Sequence, residues 1–446
     1  MSQSWWCEHA WVGDRVADGV RVTATDGVID TVEPDHAPTG QRLRGLVIPG
    51  LANAHSHAFH RALRSHTQRG GGSFWTWRES MYRIAARLTP QNYLELARAV
   101  YAEMALAGIT AVGEFHYVHH GPGGVPYADP NDMGQALVSA ASDAGIRLTL
   151  LDTCYLTAGP DGTPLEGPQL RFSDGDADRW AQRADALRAD TKQDDHVLVG
   201  AAVHSVRAVP ADQLNRVAAW ADAYDAPLHV HSSEQVAEVE QCLAVHGCTP
   251  TALLREHGVL GPRTTAVHAT HLTEQDIADL HASATGVCFC PTTERDLGDG
   301  IGPAPALLAG PGPFSLGSDS HAMIDILEEA RAVELDERLA SQQRGAIPAS
   351  RLLDAATRDG QQALGWTNAG RLEPGARADL VAVDLGSVRT AGGGPTPENV
   401  VFAASAADVT DVVVDGRTIV TDRQHHRGPV GRTLADTIGA LWEARR

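Results

Sequence analysis

A short run of the chain, NAHSHAFHRA over residues 53–62, sets two histidines one residue apart. His55 and His57 follow a Pro-Gly break and end a stretch of small and apolar residues, which is typical of a β-strand. Because side chains alternate along a strand, both imidazoles project to the same side. Such a pair can bind a divalent cation. A single His-x-His pair is weak evidence, because pairs arise by chance in a chain with 21 histidines.

Three later strand-like runs end in residues of the same chemical types. LHVHSSE contains His231 and, three residues on, Glu234; VHATH contains His268; and GSDSH contains Asp319. Three imidazoles and one carboxylate suit Zn²⁺, or Fe²⁺ in a related geometry. Taken singly, a strand histidine is more often a hydrogen-bonded structural group, and a carboxylate at a strand end is more often a helix cap. The joint pattern therefore carries the prediction of a metal site.

The elements that must position these residues alternate regularly along the chain. From residue 46 on, β-type runs alternate with Ala-, Leu- and Arg-rich runs of helical period, which predicts an α/β fold with a closed (β/α)8 TIM barrel. The eight predicted strands cover residues 51–57, 109–115, 147–153, 197–205, 226–232, 264–270, 286–292 and 313–319. A doubly wound open sheet is the alternative, but no G-x-G-x-x-G follows the first strand. In a barrel, the strand-end histidines meet at one face.

The two ends of the chain have a different pattern of short strands and turns. Neither end has enough strands to bury a core alone, so one small composite β-sandwich is predicted. We assign residues 1–49 and 376–446 to this sandwich, with a C-terminal tail, and residues 50–375 to the barrel. The Gly-, Pro- and Asp-rich segment 158–176 follows the third barrel strand, and is either a lid over the site or a surface excursion.

Composition excludes several classes of protein. A formal net charge of −20 without a basic stripe argues against nucleic acid as a partner. No apolar run is long enough to cross a bilayer, and the first residues lack the pattern of a signal peptide, so we expect a cytoplasmic protein without a membrane partner. Six irregularly spaced cysteines predict neither a disulfide framework nor a cysteine zinc site.

The whole set of motifs resembles the amidohydrolase superfamily along essentially the entire chain. The resemblance implies a metal site made of His55, His57, His231 and Asp319. It also implies catalytic roles for Glu234, His268 and Asp319, because H-x-x-E on strand five and a histidine on strand six mark the deaminase branch. Members with two metals usually carry a bridging Lys or Glu on strand four. Here strand four has neither, and the only lysine, Lys192, precedes it, so a single metal is expected.

The reaction follows from these parts. A zinc ion lowers the pKa of bound water from about 15.7 to about 7. Asp319 and His268 can take or orient the proton of that water. Glu234 can protonate the substrate nitrogen and then the departing amine, so ammonia is the product.

Four further strings, as an ordered set, resemble the formimidoylglutamate deiminase family. They are GGGSFWTWRESMYR (70–83), GEFHYVHH (113–120), HSVRAV (204–209) and HSSEQ (231–235). The resemblance implies deamination of N-formimidoyl-L-glutamate, a small dicarboxylate, to N-formyl-L-glutamate in histidine degradation, by a homodimer. The implied substrate-binding residues are Arg78, Tyr117, His204, Arg207 and His60. His60 stands where the family often has a Gln that contacts the substrate carboxylate, and imidazole can also donate a hydrogen bond to a carboxylate.

Three alternatives stay open at this point. A related aminohydrolase acting on a purine or pyrimidine ring would need aromatic stacking and amide contacts in place of the arginines. A barrel that has lost catalysis would act as a binding subunit, and would be expected to lack some of the site residues. Cleavage on the other side of the formimino carbon would release formamide and glutamate.

Overall fold

The computed structural model of the protein describes residues 2–68 and 74–443. The glycine-rich beginning of the 70–83 string therefore lies outside the described residues. The strands are β1 (Ser2–Val12), β2 (Arg15–Thr25), β3 (Val28–Glu33), β4 (Gln41–Pro49), β5 (Leu51–Ser56), β6 (Ile109–His116), β7 (Arg147–Cys154), β8 (Val197–Val203), β9 (Leu228–Ser232), β10 (Thr264–His268), β11 (Gly286–Phe289), β12 (Phe314–Leu316), β13 (Leu380–Val383), β14 (Val409–Val414), β15 (Arg417–Thr421) and β16 (Gln424–His425).

Most helices pack around the central strands. The α-helices are α1 (Phe74–Ala85), α2 (Pro90–Leu106), α3 (Asp132–Ala144), α4 (Ala177–Thr191), α5 (Ala211–Ala223), α6 (Val236–His246), α7 (Pro250–Glu256), α8 (Glu274–Ala282), α9 (Pro291–Leu297), α10 (Ala304–Leu308), α11 (Ile326–Ser341), α12 (Ala349–Ala356), α13 (Arg358–Ala363), α14 (Pro397–Phe402) and α15 (Val430–Glu443). The 3-10 helices Ala58–Leu63 and Gly167–Phe172 contain residues that line the pocket described below. Among the described helices, none combines the length and apolar character needed to cross a bilayer.

Local signals in the sequence account for several helix ends. Thr89 and Asn92 form a reciprocal capping box at the start of α2, and the Asp176 side chain accepts a hydrogen bond at the start of α4. Gly145 ends α3 with φ +78°, a conformation that costs glycine little. The predicted helices over 91–108, 129–145 and 176–190 correspond to α2, α3 and α4.

Strands β5 to β12 form one parallel sheet in chain order. Nearly every residue of these strands is buried, because helices cover the outer face of the sheet and side chains fill its interior. The sheet closes where β12 meets β5: Asp319 N donates to His55 O at 3.0 Å, and His57 N donates to Asp319 O at 3.3 Å. The predicted (β/α)8 barrel is confirmed, and all eight predicted strands are present.

The strands from both chain ends form a second sheet of eight strands. Their order is β16-β15-β14-β13-β4-β1-β2-β3, so the C-terminal strands join the N-terminal ones where β13 pairs antiparallel with β4. Its core contains Trp5, Val22, Leu43 and Leu380, contributed by both ends of the chain. The predicted composite sandwich is confirmed, because strands from both chain ends share this sheet and its core. The domain bounds 1–49 and 376–446 stay a prediction.

The C-terminal helix α15 packs on the barrel beside the segment that follows β5. Trp442 Nε1 donates to Ala62 O at 2.8 Å, and Arg87 Nη1 donates to Leu441 O at 2.7 Å. Ala62 belongs to the 3-10 helix Ala58–Leu63, which also carries His60. The tail thus supports a segment of the barrel mouth.

Candidate metal centre and active site

Four side chains from the first, fifth and eighth barrel strands surround one point in the barrel mouth. They are His55, His57, His231 and Asp319, and their candidate ligand atoms all lie within 4.8 Å of one another. All four residues are buried. The structure therefore brings together the four residues that the sequence singles out as metal ligands.

Backbone acceptors orient two of the imidazoles. His57 Nδ1 donates to Phe115 O at 3.0 Å, and His231 Nδ1 donates to His204 O at 2.9 Å. In a neutral ring the other nitrogen, Nε2, is then an acceptor that faces the centre of the group. This hydrogen bonding fixes the tautomer that a metal ligand needs.

The atoms that face the centre are spaced as ligands of one cation. His57 Nε2 lies 3.3 Å from Asp319 Oδ1, and His231 Nε2 lies 3.1 Å from His55 Nε2. Bonds of about 2.0–2.1 Å to a tetrahedral zinc ion separate neighbouring ligand atoms by about 3.3 Å. Three imidazole nitrogens and one carboxylate oxygen converge at these distances, so the donor set fits a divalent metal.

Burial sets the protonation states of this group. It lowers the pKa of His55 to about 3 and the pKa of His231 well below its usual value. Burial alone would raise the pKa of Asp319, but the adjacent imidazoles of His55 and His57 hold that pKa well below its usual value. Neutral imidazoles and an ionised carboxylate are the forms that bind metals.

Two functional side chains sit on a strained backbone at strand ends. His268 has φ +69° and Asp319 has φ +39°, in the left-handed region that residues with a Cβ rarely adopt. The barrel-closing hydrogen bonds of Asp319 hold its backbone in place. Strain of this kind is concentrated at functional sites, where the surrounding structure over-determines the conformation.

His268 and Glu234 lie beside the four ligands. The His268 ring stacks on the His231 ring with centroids 5.6 Å apart, and its Nε2 lies 3.9 Å from Glu234 Oε1. Its Nδ1 lies 3.3 Å from Glu294 Oε1. Burial alone would lower the pKa of His268, but the carboxylates of Glu234, Glu294 and Asp319 raise it well above its usual value. His268 and Glu234 can therefore exchange protons with a ligand in the mouth.

A pocket with an empty volume of about 590 Å³ opens over this group. The lining includes all five predicted substrate-binding residues: His60, Arg78, Tyr117, His204 and Arg207. They come from different elements, namely the segment after β5, helix α1, and the turns after β6 and β8.

The pocket combines two guanidinium groups with neutral hydrogen-bonding groups. Arg78 Nε donates to Tyr82 OH at 2.6 Å, and Arg207 Nη2 lies 3.7 Å from Glu234 Oε2. His60 Nε2 lies 2.9 Å from Tyr117 OH. Burial lowers the pKa of His60 well below its usual value, so this imidazole is neutral at pH 7. The wall can thus hold an anionic ligand by charge and by hydrogen bonds.

Several lining residues were not predicted as site residues. Trp77, Met81, Tyr82, Tyr155, Phe172 and Leu297 also face the pocket. Met81 and Tyr82 lie three and four residues after Arg78 on α1, so helical spacing offered a signal for them. Tyr155 directly follows β7, where the strand-end rule applies. No local pattern marks Phe172 or Leu297.

The segment 158–176 forms a fixed wall of the pocket. Phe172 lines the pocket, and the neighbouring Arg171 is buried. The Arg171 guanidinium donates to Leu88 O at 2.7 Å, to His120 O at 2.8 Å and to Ala85 O. These bonds attach the end of the segment, at Arg171 and Phe172, to the ends of α1 and of the turn after β6, whereas residues 161–164 are exposed.

A buried network braces the ligand-bearing strands from behind. Ser56, between the two ligand histidines, donates to Glu114 Oε2 at 2.8 Å, and its Oγ lies 3.2 Å from His321 Nε2. His321 Nδ1 lies 2.9 Å from Ser318 Oγ. Burial raises the pKa of Glu114 to about 7. Sequence reasoning assigned no role to Glu114 or His321.

His229 lies deeper in the barrel than His231. It is buried, and its Nε2 donates to Ala363 O at 3.0 Å. Burial lowers its pKa to about 4. This contact with α13 gives His229 a structural role away from the four ligands.

Comparison with known proteins adds independent observations. Residues 46–419 match the model of the amidohydrolase family. The chain is 40% identical to formimidoylglutamate deiminase of Pseudomonas aeruginosa over 432 residues, covering 94% of each chain. It is 30% identical to 8-oxoguanine deaminase of the same organism over 414 residues, covering 88% of each. The crystal structure of an amidohydrolase from Brucella melitensis matches with a TM-score of 0.92 and 34% identity, covering 99% of this chain and 100% of the other.

Proposed function

Because the chain belongs to the amidohydrolase family, we propose that it hydrolyses N-formimidoyl-L-glutamate to N-formyl-L-glutamate and ammonia, as a step in histidine degradation. The protein is a metal-dependent hydrolase that acts on C–N bonds. One observation carries the choice of substrate: the same pocket is lined by three of the four candidate metal ligands and by the guanidinium groups of Arg78 and Arg207. The 40% identity to a formimidoylglutamate deiminase supports it.

We propose that the metal is one Zn²⁺ ion, with Fe²⁺ as the alternative, bound by His55, His57, His231 and Asp319. When bound, such an ion lowers the pKa of a coordinated water from about 15.7 to about 7. Strand β8, with the sequence VLVGAAV, carries no Lys or Glu that could bridge a second ion. A single metal is therefore the proposal.

The substrate carboxylates would bind at the cationic side of the pocket. Arg78 and Arg207 supply guanidinium groups, which can hold a carboxylate through two parallel hydrogen bonds. Burial alone would lower the pKa of Arg207, but the carboxylates of Glu238 and Glu234 raise it, so Arg207 is charged. In a chain with a net charge of −20, these local cations are what attracts the two substrate carboxylates.

Glu234 and His268 would move the protons. The attacking water adds to the formimino carbon, and His268, with Asp319, accepts its proton. Glu234 lies between His268 and Arg207, where it can deliver a proton to the terminal nitrogen of the substrate. Asp319 or His268 then takes the remaining hydroxyl proton as the bond from carbon to that nitrogen breaks, ammonia leaves, and the oxygen of the water remains in the formyl group.

The test is an assay of purified, metal-loaded protein with N-formimidoyl-L-glutamate, 8-oxoguanine, guanine and cytosine in parallel. We expect ammonia from the first compound alone, with N-formyl-L-glutamate identified by mass. Ammonia from a purine or pyrimidine alone would show a ring aminohydrolase, and formamide plus glutamate would show cleavage of the other C–N bond. Binding of metal without turnover of any amidine or amine would show a non-catalytic barrel.

Two finer proposals concern the state of the protein. We propose a homodimer, which light scattering coupled to gel filtration tests at micromolar concentration. We also propose a cytoplasmic location, which cell fractionation tests.

A further inference from the structure

The side chain of Glu294 contacts His268 on the side of the ring opposite to Glu234. Glu294 belongs to α9, directly after β11, and is 5% exposed. Its Oε1 accepts a hydrogen bond from Cys290 N at 2.9 Å and lies 3.3 Å from His268 Nδ1. The other ring nitrogen, His268 Nε2, lies 3.9 Å from Glu234 Oε1. The imidazole thus lies between two carboxylates, one on helix α9 and one in the pocket.

We propose that Glu294 is a positioning residue, whose carboxylate keeps a proton on His268 Nδ1 and so turns His268 Nε2 toward Glu234 and the reacting water. The structural part of this inference stands on geometry alone. Its effect on turnover rests on the proposed function, in which His268 accepts the proton of the water.

The two nitrogens of an imidazole are equivalent until a partner distinguishes them. A carboxylate only accepts hydrogen bonds, so the His268 nitrogen beside Glu294, Nδ1, carries a proton in both the neutral and the cationic ring, and proton exchange takes place at Nε2. For carboxylates that orient metal-ligating histidines, removal typically costs about 10–100-fold in activity or metal affinity, and we expect a loss of the same order here.

His268 needs such a partner because its other restraints do not select a tautomer. Its backbone has φ +69°, and the His231 ring stacks on its face at a centroid distance of 5.6 Å. Stacking restricts the plane of the ring but permits a flip that exchanges the two edges. Hydrogen bonding to Glu294 distinguishes the edges.

Glu294 is itself held by its own turn and helix. Its carboxylate accepts from Cys290 N, at the start of the helix. The next residues of α9 are held independently, because Glu329 accepts hydrogen bonds from Thr292 N at 2.9 Å and from Thr292 Oγ1 at 2.5 Å. Glu329 is 0% exposed. The two glutamates therefore support one helix, and Glu294 also contacts His268.

This pairing provides a matched control. We compare Glu294→Ala and Glu294→Gln with Glu329→Ala and Glu329→Gln in the zinc-loaded enzyme. Both Glu294 variants should lose about 10–100-fold in kcat, with KM changed by less than about threefold and with unchanged metal content. The Glu329 variants, even if less stable, should keep kcat within about threefold. Equal losses of kcat in both pairs would overturn the proposal, because they would indicate general damage to α9.

A spectroscopic measurement removes the dependence on substrate. In protein labelled with ¹⁵N-histidine, with His268→Gln used to assign the signal, we expect a proton on His268 Nδ1 in the wild type. In Glu294→Ala the ring nitrogens should show a mixture of tautomers, while Glu329→Ala keeps the wild-type spectrum. An unprotonated Nδ1 in the wild type, or an unchanged spectrum in Glu294→Ala, would refute the positioning role. If the tautomer depends on Glu294 but N-formimidoyl-L-glutamate is not turned over, the proposed function fails and the positioning role stands.

Discussion

His55 Nε2 lies 3.1 Å from His231 Nε2, although 176 residues separate the two in the chain. The second nitrogen of His231 already donates to a backbone carbonyl, so the nitrogen that faces His55 is an acceptor. Both rings are neutral because burial lowers the pKa of each. The close approach of these atoms is favourable when a cation lies between them, and this relationship leads to the first prediction.

Removal of the metal should abolish activity and destabilise the fold. A chelator should reduce ammonia release to background and lower the Tm, because a cation that binds only the folded state stabilises it. Addition of Zn²⁺ should restore both. Ammonia release and differential scanning fluorimetry measure the two effects.

Strand β9 offers a matched pair of variants for this prediction. His231→Asn should lose most of the bound metal, whereas His229→Asn removes only the contact with Ala363 O and should keep it. Elemental analysis measures the metal in each. Full activity after exhaustive chelation would contradict a metal-dependent reaction.

Replacement of Glu234 by Gln should separate catalysis from metal binding. The amide cannot deliver a proton to the substrate nitrogen, so kcat should fall by about 10²–10⁴-fold. Metal content should not change, because Glu234 is not among the four candidate ligands. Steady-state kinetics and elemental analysis on the same sample check both statements.

The control is Glu240→Gln, an exposed carboxylate on the helix that follows Glu234. It should behave as the wild type. Turnover by Glu234→Gln within a few fold of the wild type would exclude Glu234 as the proton donor.

Replacement of Arg207 by Met should affect anionic substrates selectively. A hydrogen bond to a charged group contributes about 1.5–3 kcal/mol, so kcat/KM for N-formimidoyl-L-glutamate should fall by about 10–100-fold. An N-alkylformamidine has the same reacting group without the carboxylates and should lose much less. Parallel kinetics with the two compounds provide the measurement.

Arg216→Met serves as control, since Arg216 is part-exposed and pairs with Asp178 on the outer helices. It should leave both substrates unaffected. An equal loss for the two substrates in Arg207→Met would indicate structural damage to the pocket, not loss of a carboxylate contact.

Replacement of Arg183 by Met should destabilise the fold in a pH-dependent way. Arg183 lies 2.7 Å from Asp152 and 2.9 Å from Asp174, and all three side chains are buried. Without the guanidinium both buried carboxylates lose their cationic partner and keep only single contacts with Trp180 and His120, and breaking such a buried network costs about 3–5 kcal/mol near pH 7. Urea unfolding measures the free energy of unfolding.

The sign of the pH effect follows from Asp174. Burial alone would raise the pKa of this carboxyl, but Arg183 and His120 hold it well below its usual value of 3.8. In the wild type, the stability it provides is therefore present above pH 3.8 and is lost below it. In Arg183→Met the Asp174 carboxyl remains buried without its guanidinium partner, so its pKa is higher than in the wild type. The variant therefore gains stability as pH falls from 7 toward 4. The difference between the two proteins should thus be smaller at pH 4.5 than at pH 7.5, and a constant difference would contradict this account.

The barrel and the four candidate ligands could be predicted because their signals are local. The apolar composition of residues 51–57 and 264–270 predicts buried strands. Polar side chains at the ends of these runs indicate the face of the barrel where parallel strands end. The alternation of side chains along a single strand is enough to place His55 and His57 on the same side. The sequence by itself therefore determined the barrel and the sandwich, and it was enough to predict candidate residues for a metal and for a carboxylate substrate.

Only the tertiary structure decided which side chains contact and orient the candidate site residues. Glu294 reaches His268 from a helix 26 residues away, Ser56 joins Glu114 to His321, and Arg171 fixes the wall that carries Phe172. These contacts join elements that meet only when the barrel closes. A periodic sequence pattern indicates which side of a helix or strand faces the core. It does not indicate which side chain of another element will contact that helix or strand.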